Sequence, residues 1–149
     1  MLPYSMKLLP ILVLSGILLP AIRSARSGEP PAPHPVEVKV GALVDAARST
    51  ADFMAAYGKG SELWDAELNR IYQALRKALP APASEKLKLA QQQWLLYRDA
   101  SYALLDEQYN QYEGTLYLPM RVAARMRVTE DRARYLTLLL ETQKEHGAQ

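Results

Sequence analysis

The sequence contains no cysteine and only two histidines among its 149 residues. The lack of cysteine excludes disulfide bonds, a thiol nucleophile, cysteine-based zinc or iron–sulfur sites and a lipid anchor attached through cysteine. His34 stands between prolines, and we expect it to be solvated, with no metal or catalytic role; His146 lies close to the C-terminus. With so few imidazoles, the composition argues against most catalytic chemistry.

The remaining catalytic patterns are also missing from the sequence. There is no glycine-rich phosphate loop, no His-x-x-x-His pair and no nucleophile elbow. The neighbouring acids Asp65 and Glu67, like Asp106 and Glu107, would point to different faces of a helix and cannot act as an acid/base pair. We therefore predict that the protein is not an enzyme, has no catalytic residues, and holds no cofactor or metal.

The N-terminus has the layout of a secretory signal peptide, which we assign to residues 1–27. One lysine precedes an apolar run from Leu8 to Leu19, and small residues follow it. The run has 12 residues, whereas a membrane-spanning helix needs roughly 20. Candidate cleavage sites follow Ala21, Ala25 and Ser27. The sequence therefore predicts a periplasmic or secreted protein.

Two arginines directly after the apolar run oppose translocation of that flank, so an uncleaved membrane anchor remains the alternative. Cleavage would remove Lys7, Arg23 and Arg26 from the 18 basic residues and leave all 16 acidic ones, for a net charge of −1. A nearly neutral chain lacks the basic surface that nucleic acids require. We expect no nucleic-acid partner, and a membrane contact only if the N-terminal segment is retained.

Residues 28–40 are predicted to be a proline-rich linker. Four prolines fall within residues 28–35 (GEPPAPHP), and proline favours an extended, solvated chain. Residues 36–40 (VEVKV) alternate apolar and charged side chains with the period of a strand, but no second strand is available to pair with them. This short segment is either extended linker or the lead-in to a helix.

Residues 41–149 are predicted to form a helical domain. Apolar residues recur at spacings of three and four from Trp64 onward, which is the period of an amphipathic helix. We expect Ser61 to cap this helix and Pro80 to end it. Before it, the alanine-rich stretch 43–57 predicts a shorter helix that ends at residues 58–60 (GKG).

Two further long helices follow a proline turn. Ser84 is the predicted cap of the first, which runs toward Tyr109, and Gly114 separates it from the second. Pro119 suits the first turn of that last helix, and residues 129–131 are a candidate internal cap or kink. The fold class is therefore all-α, a small antiparallel bundle of three long helices and one short helix.

Two motifs resemble those of the lysozyme inhibitor LprI-like N-terminal domain, a small helical domain of exported bacterial proteins. The first is residues 65–75 (DAELNRIYQAL), and the second extends from Leu87 through Trp94 to Ala100; the resemblance covers about residues 50–140. It implies a protein-binding domain with lysozyme as the candidate partner. The motif residues, to which we assign a structural role, are Asp65, Leu68, Asn69, Tyr72, Gln91, Trp94, Arg98, Asp99 and Arg132.

This chain differs from the family pattern in its lack of cysteine. The resemblance implies family cysteines, expected to form disulfides, near Ala56, at Tyr102 and near Ala124. Because all of them are missing together, no free thiol is left in an oxidising compartment. Other packing must replace the bridges, and we expect Tyr102 to fill part of the vacated volume.

Three motif residues have a predicted role in packing. Trp94 lies on the inner stripe of its helix and is the predicted core anchor, with an exposed ligand platform as the alternative. Arg98, one turn later, is predicted to join two helices through Asp65 or Glu67, with partner binding as the alternative. Asn69 is predicted to form an interhelical hydrogen bond.

Partner binding is predicted at three tyrosines around Gly114, namely Tyr109, Tyr112 and Tyr117. Tyrosine is favoured at protein interfaces because it offers a rigid apolar ring with a polar tip. The alternative is that these rings only cover the end of the bundle. At the level of function, the sequence predicts an exported binding domain that binds or inhibits lysozyme. The alternative is a structural or envelope-stress accessory protein of the periplasm that binds no lysozyme.

Overall fold

The computed structural model describes residues 32–147. The predicted signal peptide (1–27) and the first part of the predicted linker lie outside this range. The described chain forms four α-helices and no strand: α1 (Pro35–Ala46), α2 (Thr50–Ala78), α3 (Ala81–Asn110) and α4 (Tyr117–Gly147). The predicted all-α class with four helices is confirmed, but the short helix is Pro35–Ala46 and not the predicted 43–57, most of which belongs to α2. None of these four helices is both long enough and apolar enough to cross a membrane.

Helix α1 begins earlier than the sequence indicated. His34 is its N-cap: Nδ1 accepts a hydrogen bond from the backbone N–H of Val36 at 3.2 Å, and the Glu37 carboxylate accepts one from the His34 N–H at 3.3 Å. Pro35 occupies the first helical position, where its missing donor costs nothing. Residues 36–40 are therefore helical, and the extended-linker interpretation is wrong. Val36 and Val40, one turn apart, are both buried.

Helix α2 is continuous from Thr50 to Ala78, so the predicted break at residues 58–60 is wrong. Ser49 caps the helix, and its hydroxyl accepts a hydrogen bond from the N–H of Asp52 at 3.2 Å. Ser61 caps nothing, because it lies inside the helix and donates to the carbonyl of Tyr57 at 3.0 Å. Gly60 is buried where α2 meets Val40 of α1 and Met126 of α4, so this glycine permits close packing.

The ends of α3 and α4 follow the turn residues. Pro80 precedes α3, and Ser84, predicted as the cap, lies one turn inside the helix with its N–H donating to the Pro80 carbonyl at 2.9 Å. Gly114 adopts φ +106° in the turn before α4, a conformation that L side chains rarely adopt. Pro119 lies in the first turn of α4, as predicted. The segment 129–131 is ordinary helix and neither caps nor divides α4.

The core lies mainly between α2 and α4, with α1 packed across α2. Four of the five most deeply buried large side chains belong to α2, and Leu136 of α4 is the fifth. Helix α3 packs on α4 and contacts α2 much less, chiefly near their connecting turn, where Arg76 Nε donates to Ser84 Oγ at 3.4 Å. The core residues are Val36, Val40, Trp64, Leu68, Ile71, Leu75, Leu87, Met126, Ala133, Leu136 and Leu140.

Candidate functional site

The turn between α3 and α4 brings the three predicted binding tyrosines together. The rings of Tyr109 and Tyr112 meet edge to face with centroids 6.0 Å apart, and those of Tyr112 and Tyr117 are tilted by 33° at 4.8 Å. Gly114 reverses the chain between them. We call residues 109–120 the tyrosine turn. The structure therefore places the rings in one cluster; their role in binding remains a prediction.

Apolar side chains beside the rings are exposed to solvent. Leu116 is 66 % exposed and Tyr112 is 46 % exposed, and Leu118 and Met120 are exposed as well. The tyrosines were predicted from the sequence as binding residues, but the three aliphatic residues, which lie two to six positions after Gly114, were not. Four large apolar side chains are therefore exposed within nine residues of the chain, a local concentration that makes this segment a candidate interaction site.

Backbone hydrogen bonds fix the shape of the tyrosine turn. The N–H of Tyr112 donates to the carbonyl of Tyr109 at 3.2 Å, and the N–H of Leu118 donates to that of Thr115 at 3.3 Å. The cleft between the rings has a volume of only about 140 Å³, below the roughly 300–1,000 Å³ of small-molecule sites. This cleft is therefore too small for an ordinary small-molecule ligand.

Charged residues secure the base of the tyrosine turn. Arg121 Nη1 donates to Asn110 Oδ1 at 3.1 Å, and Arg125 Nη1 lies 3.5 Å from Asp106 Oδ1. Residues 106–121 carry three carboxylates and one arginine. Arg121 and Arg125 together balance the charge of Asp106, so Glu107 and Glu113 are the remaining carboxylates of this segment.

The first family motif lies on α2, and its members have different environments. Leu68 is buried in the core, and Tyr72 packs partly against it. The Asn69 amide donates to the Asp65 carboxylate at 3.2 Å, one turn earlier on the same exposed face. The predicted interhelical role of Asn69 is therefore wrong, because its face of α2 points away from the neighbouring helices.

The second motif lies on α3, where two predictions are wrong. Arg98 pairs with the adjacent Asp99, with its guanidinium nitrogens 2.9 and 2.7 Å from Oδ1, and not with Asp65 or Glu67. Trp94 is only half-buried, between α3 and α4, while Trp64 on α2 is 1 % exposed and is the true core anchor. The error at Arg98 has a clear cause: α3 packs mainly on α4, whereas a contact with Asp65 or Glu67 required α3 to pack on α2.

Arg132 on α4, and not Arg98, is the arginine that joins two helices. Its Nε donates to Gln91 Oε1 on α3 at 3.1 Å, and the guanidinium carbon lies 5.8 Å from the Trp94 ring centroid. Burial lowers the pKa of Arg132 from its usual value. Gln91, Trp94 and Arg132 thus meet at one point and hold α3 to α4.

A polar cluster at the start of α1 was not predicted. The His34 ring lies 4.8 Å from the Trp64 ring, and Nε2 lies 3.3 Å from the Glu67 carboxylate. Arg70 donates two hydrogen bonds of 2.7 Å to Glu67, and these bonds, ahead of the charge of His34, lower the pKa of Glu67. His34 is thus part of the packing, and the expectation that it is solvated is wrong.

A second contact fixes α1 to α4. Arg134 Nη2 lies 2.9 Å from Glu37, and this hydrogen bond lowers the pKa of Glu37 and raises that of Arg134. The available sequence signal was a glutamate three residues after His34, the spacing of a capping box.

Within residues 32–147, no cluster of three or more His, Asp or Glu side chains has an arrangement that could hold a metal ion.

Together these features define a small helical domain with three tyrosines gathered at one turn. The chain belongs to the family described as lysozyme inhibitor LprI, whose model matches residues 44–136. The match includes all of α2 and α3 and the tyrosine turn, and it confirms the resemblance stated from the sequence motifs. This member of the family contains no cysteine. Comparisons with curated proteins and with solved structures found no match.

Proposed function

We propose that this protein acts outside the cytoplasm by binding and inhibiting lysozyme through the tyrosine turn. The family membership supports lysozyme as the partner. The observation that carries the choice of surface is the group of three adjoining tyrosine rings, of which Tyr112 is exposed, within a segment that also exposes Leu116, Leu118 and Met120.

The chemistry of the turn suits a cationic protein partner. Exposed aromatic and aliphatic side chains supply the apolar centre of an interface, and a polar rim surrounds such a centre in known complexes. Here Glu107 and Glu113 lie in the same segment and carry negative charge, whereas Asp106 already faces Arg121 and Arg125. Because the net charge after signal cleavage would be about −1, long-range attraction is weak, and we expect only a modest effect of salt.

Calorimetry with a purified c-type lysozyme tests the proposal. Tyr112→Ser combined with Leu116→Ser removes two exposed side chains, so the fold should persist while binding weakens by at least about 2 kcal/mol, the scale of an interface hot spot. The matched control is Tyr97→Ser with Tyr135→Ser, which changes two exposed residues outside the turn. An assay of cell-wall hydrolysis by lysozyme then separates inhibition from binding alone.

Substitution of all three tyrosines by serine tests the cluster as a unit. If the wild-type protein shows no binding at tens of micromolar, roughly 6 kcal/mol of affinity, the lysozyme proposal fails. The accessory role in the periplasm would then be favoured.

Export is the second part of the proposal. It is supported by the signal-like segment 1–27, whose apolar run is too short to span a membrane. Mass spectrometry of the periplasmic protein should find an N-terminus between Ile22 and Gly28. Recovery of the intact N-terminus from membranes would favour the uncleaved anchor.

A further inference from the structure

A second candidate site lies far along the bundle from the tyrosine turn, where the end of α2, the start of α3 and the last third of α4 meet. A groove of about 420 Å³ opens there, within the size range of small-molecule sites. Leucine is the most frequent residue among those that line it, so we call it the leucine groove. The wall residues are Leu75, Leu79, Leu87, Leu136 and Leu139.

Two permanent charges line the leucine groove, those of Lys86 and Arg132, and both are positive. Lys86 of α3, Arg132 of α4 and His146 of α4 line it, and among the described residues that line it there is no carboxylate. An apolar channel beside cationic groups is complementary to a molecule with a hydrocarbon chain and a single anionic end.

Arg132 adds an independent observation. Its Nη2 is shielded from solvent and has no hydrogen-bond partner among residues 32–147. Its Nε is already occupied by Gln91. A shielded guanidinium nitrogen without a partner is costly, and a carboxylate in the groove would satisfy it once the Arg132 side chain turns toward that ligand. The family motif residue that holds α3 to α4 thus also has donor capacity to spare.

We propose that the leucine groove binds a medium-chain fatty acid, with the acyl chain against the leucines and the carboxylate near Lys86 and Arg132. The carboxylate matches the cationic groups, and the single chain matches a groove that is narrow and apolar. This activity is independent of the tyrosine turn, so either site can fail its test without affecting the other.

Two tryptophan substitutions on α3 separate the groove from the rest of the helix. Ala90 lines the groove and is exposed, so Ala90→Trp should fill the groove without disturbing the core. The control is Ala100→Trp, which places the same side chain at an exposed position of α3 that does not line the groove. With dodecanoate as the probe, calorimetry should show binding by the wild type and by Ala100→Trp. Ala90→Trp should bind at least about tenfold more weakly.

The charge requirement has its own controls. Lys86→Gln with His146→Gln changes two exposed residues of the groove and should weaken dodecanoate binding severalfold, and the uncharged methyl ester should bind more weakly than the acid. The proposal is overturned if dodecanoate fails to bind at about 1 mM, or if the acid and its ester bind equally. Equal binding by the two tryptophan variants would also overturn it. If the wild-type protein is a dimer and Ala90→Trp dissociates it, the groove is instead a contact surface for a second copy of the chain.

Discussion

The hydroxyl groups of Tyr102 and Thr129 lie 3.0 Å apart and join the middle of α3 to the middle of α4. The Tyr102 ring also lies beneath the guanidinium of Arg125, whose carbon is 4.5 Å from the ring centroid. Tyr102 stands where the family resemblance implies a cysteine, and its contacts reach the region of α4 near Ala124, where another is implied. A hydrogen bond and a cation–π contact thus connect the helices of this cysteine-free member.

Replacement of Tyr102 by phenylalanine should reduce the free energy of unfolding by about 1 kcal/mol. The ring and its contact with Arg125 remain, while the nearly buried hydroxyl of Thr129 loses its partner. Urea denaturation of the wild type and the variant measures the difference. In a double-mutant cycle with Thr129→Val, the second substitution should cost less once Tyr102 is already phenylalanine. Additive effects would show that the two hydroxyl groups do not interact.

The two tryptophans should differ strongly in their contribution to stability. Trp64→Ala should cost about 3–5 kcal/mol, because Trp64 is enclosed between α1, α2 and α4 and its loss leaves a cavity. Trp94→Ala should cost less than half as much, since Trp94 is half-buried between only α3 and α4. Thermal or urea unfolding of both variants gives the comparison. Equal losses would contradict the position of the core between α2 and α4.

The helical content of this chain could be predicted from local patterns. The apolar spacing from Trp64 to Leu75 set the buried face of α2, and Gly114 marked the turn at the positive φ that the structure shows. The clustering of the tyrosines also followed from their sequence positions, because they flank one short turn. Such features depend on residues that are close together in the chain.

Helix pairing could not be predicted in the same way. A short turn after α2 suggested that α3 pairs with α2, and the predicted contact of Arg98 with Asp65 or Glu67 depended on that pairing. Instead, Arg132 reaches α3 from 41 residues away in the chain. Likewise, the glycines at 58 and 60 predicted a break in the helix because glycine has a low helix propensity. In the structure α2 continues past both of them. Tertiary packing overrides the low helix propensity of glycine here.

The two glycines inside α2 provide a matched pair of substitutions. A Cβ atom at Gly58 would meet nothing within 4 Å, so Gly58→Ala should raise the free energy of unfolding by up to about 1 kcal/mol through helix propensity. A Cβ at Gly60 would lie 2.5 Å from Met126 Sδ and 3.1 Å from a Val40 methyl group. Gly60→Ala should therefore lose most or all of that gain, because α1 and Met126 must shift. Equal stabilisation by both variants, measured in urea, would exclude close packing at Gly60.

The Glu67 carboxylate should make the stability of the fold depend on pH in the acid range. Arg70 and His34 lower the pKa of Glu67 below its ordinary value of 4.5, so the folded state binds this proton less readily than the unfolded state. The resulting stabilisation is present above pH 4.5 and is lost as the pH falls below it. Glu67→Gln should cost about 1 kcal/mol at pH 7 and flatten the decline of stability below pH 4.5, measured by urea denaturation across that range. Glu85→Gln, which removes a carboxylate far from His34, serves as the control, and an equal flattening in both variants would contradict the role of Glu67.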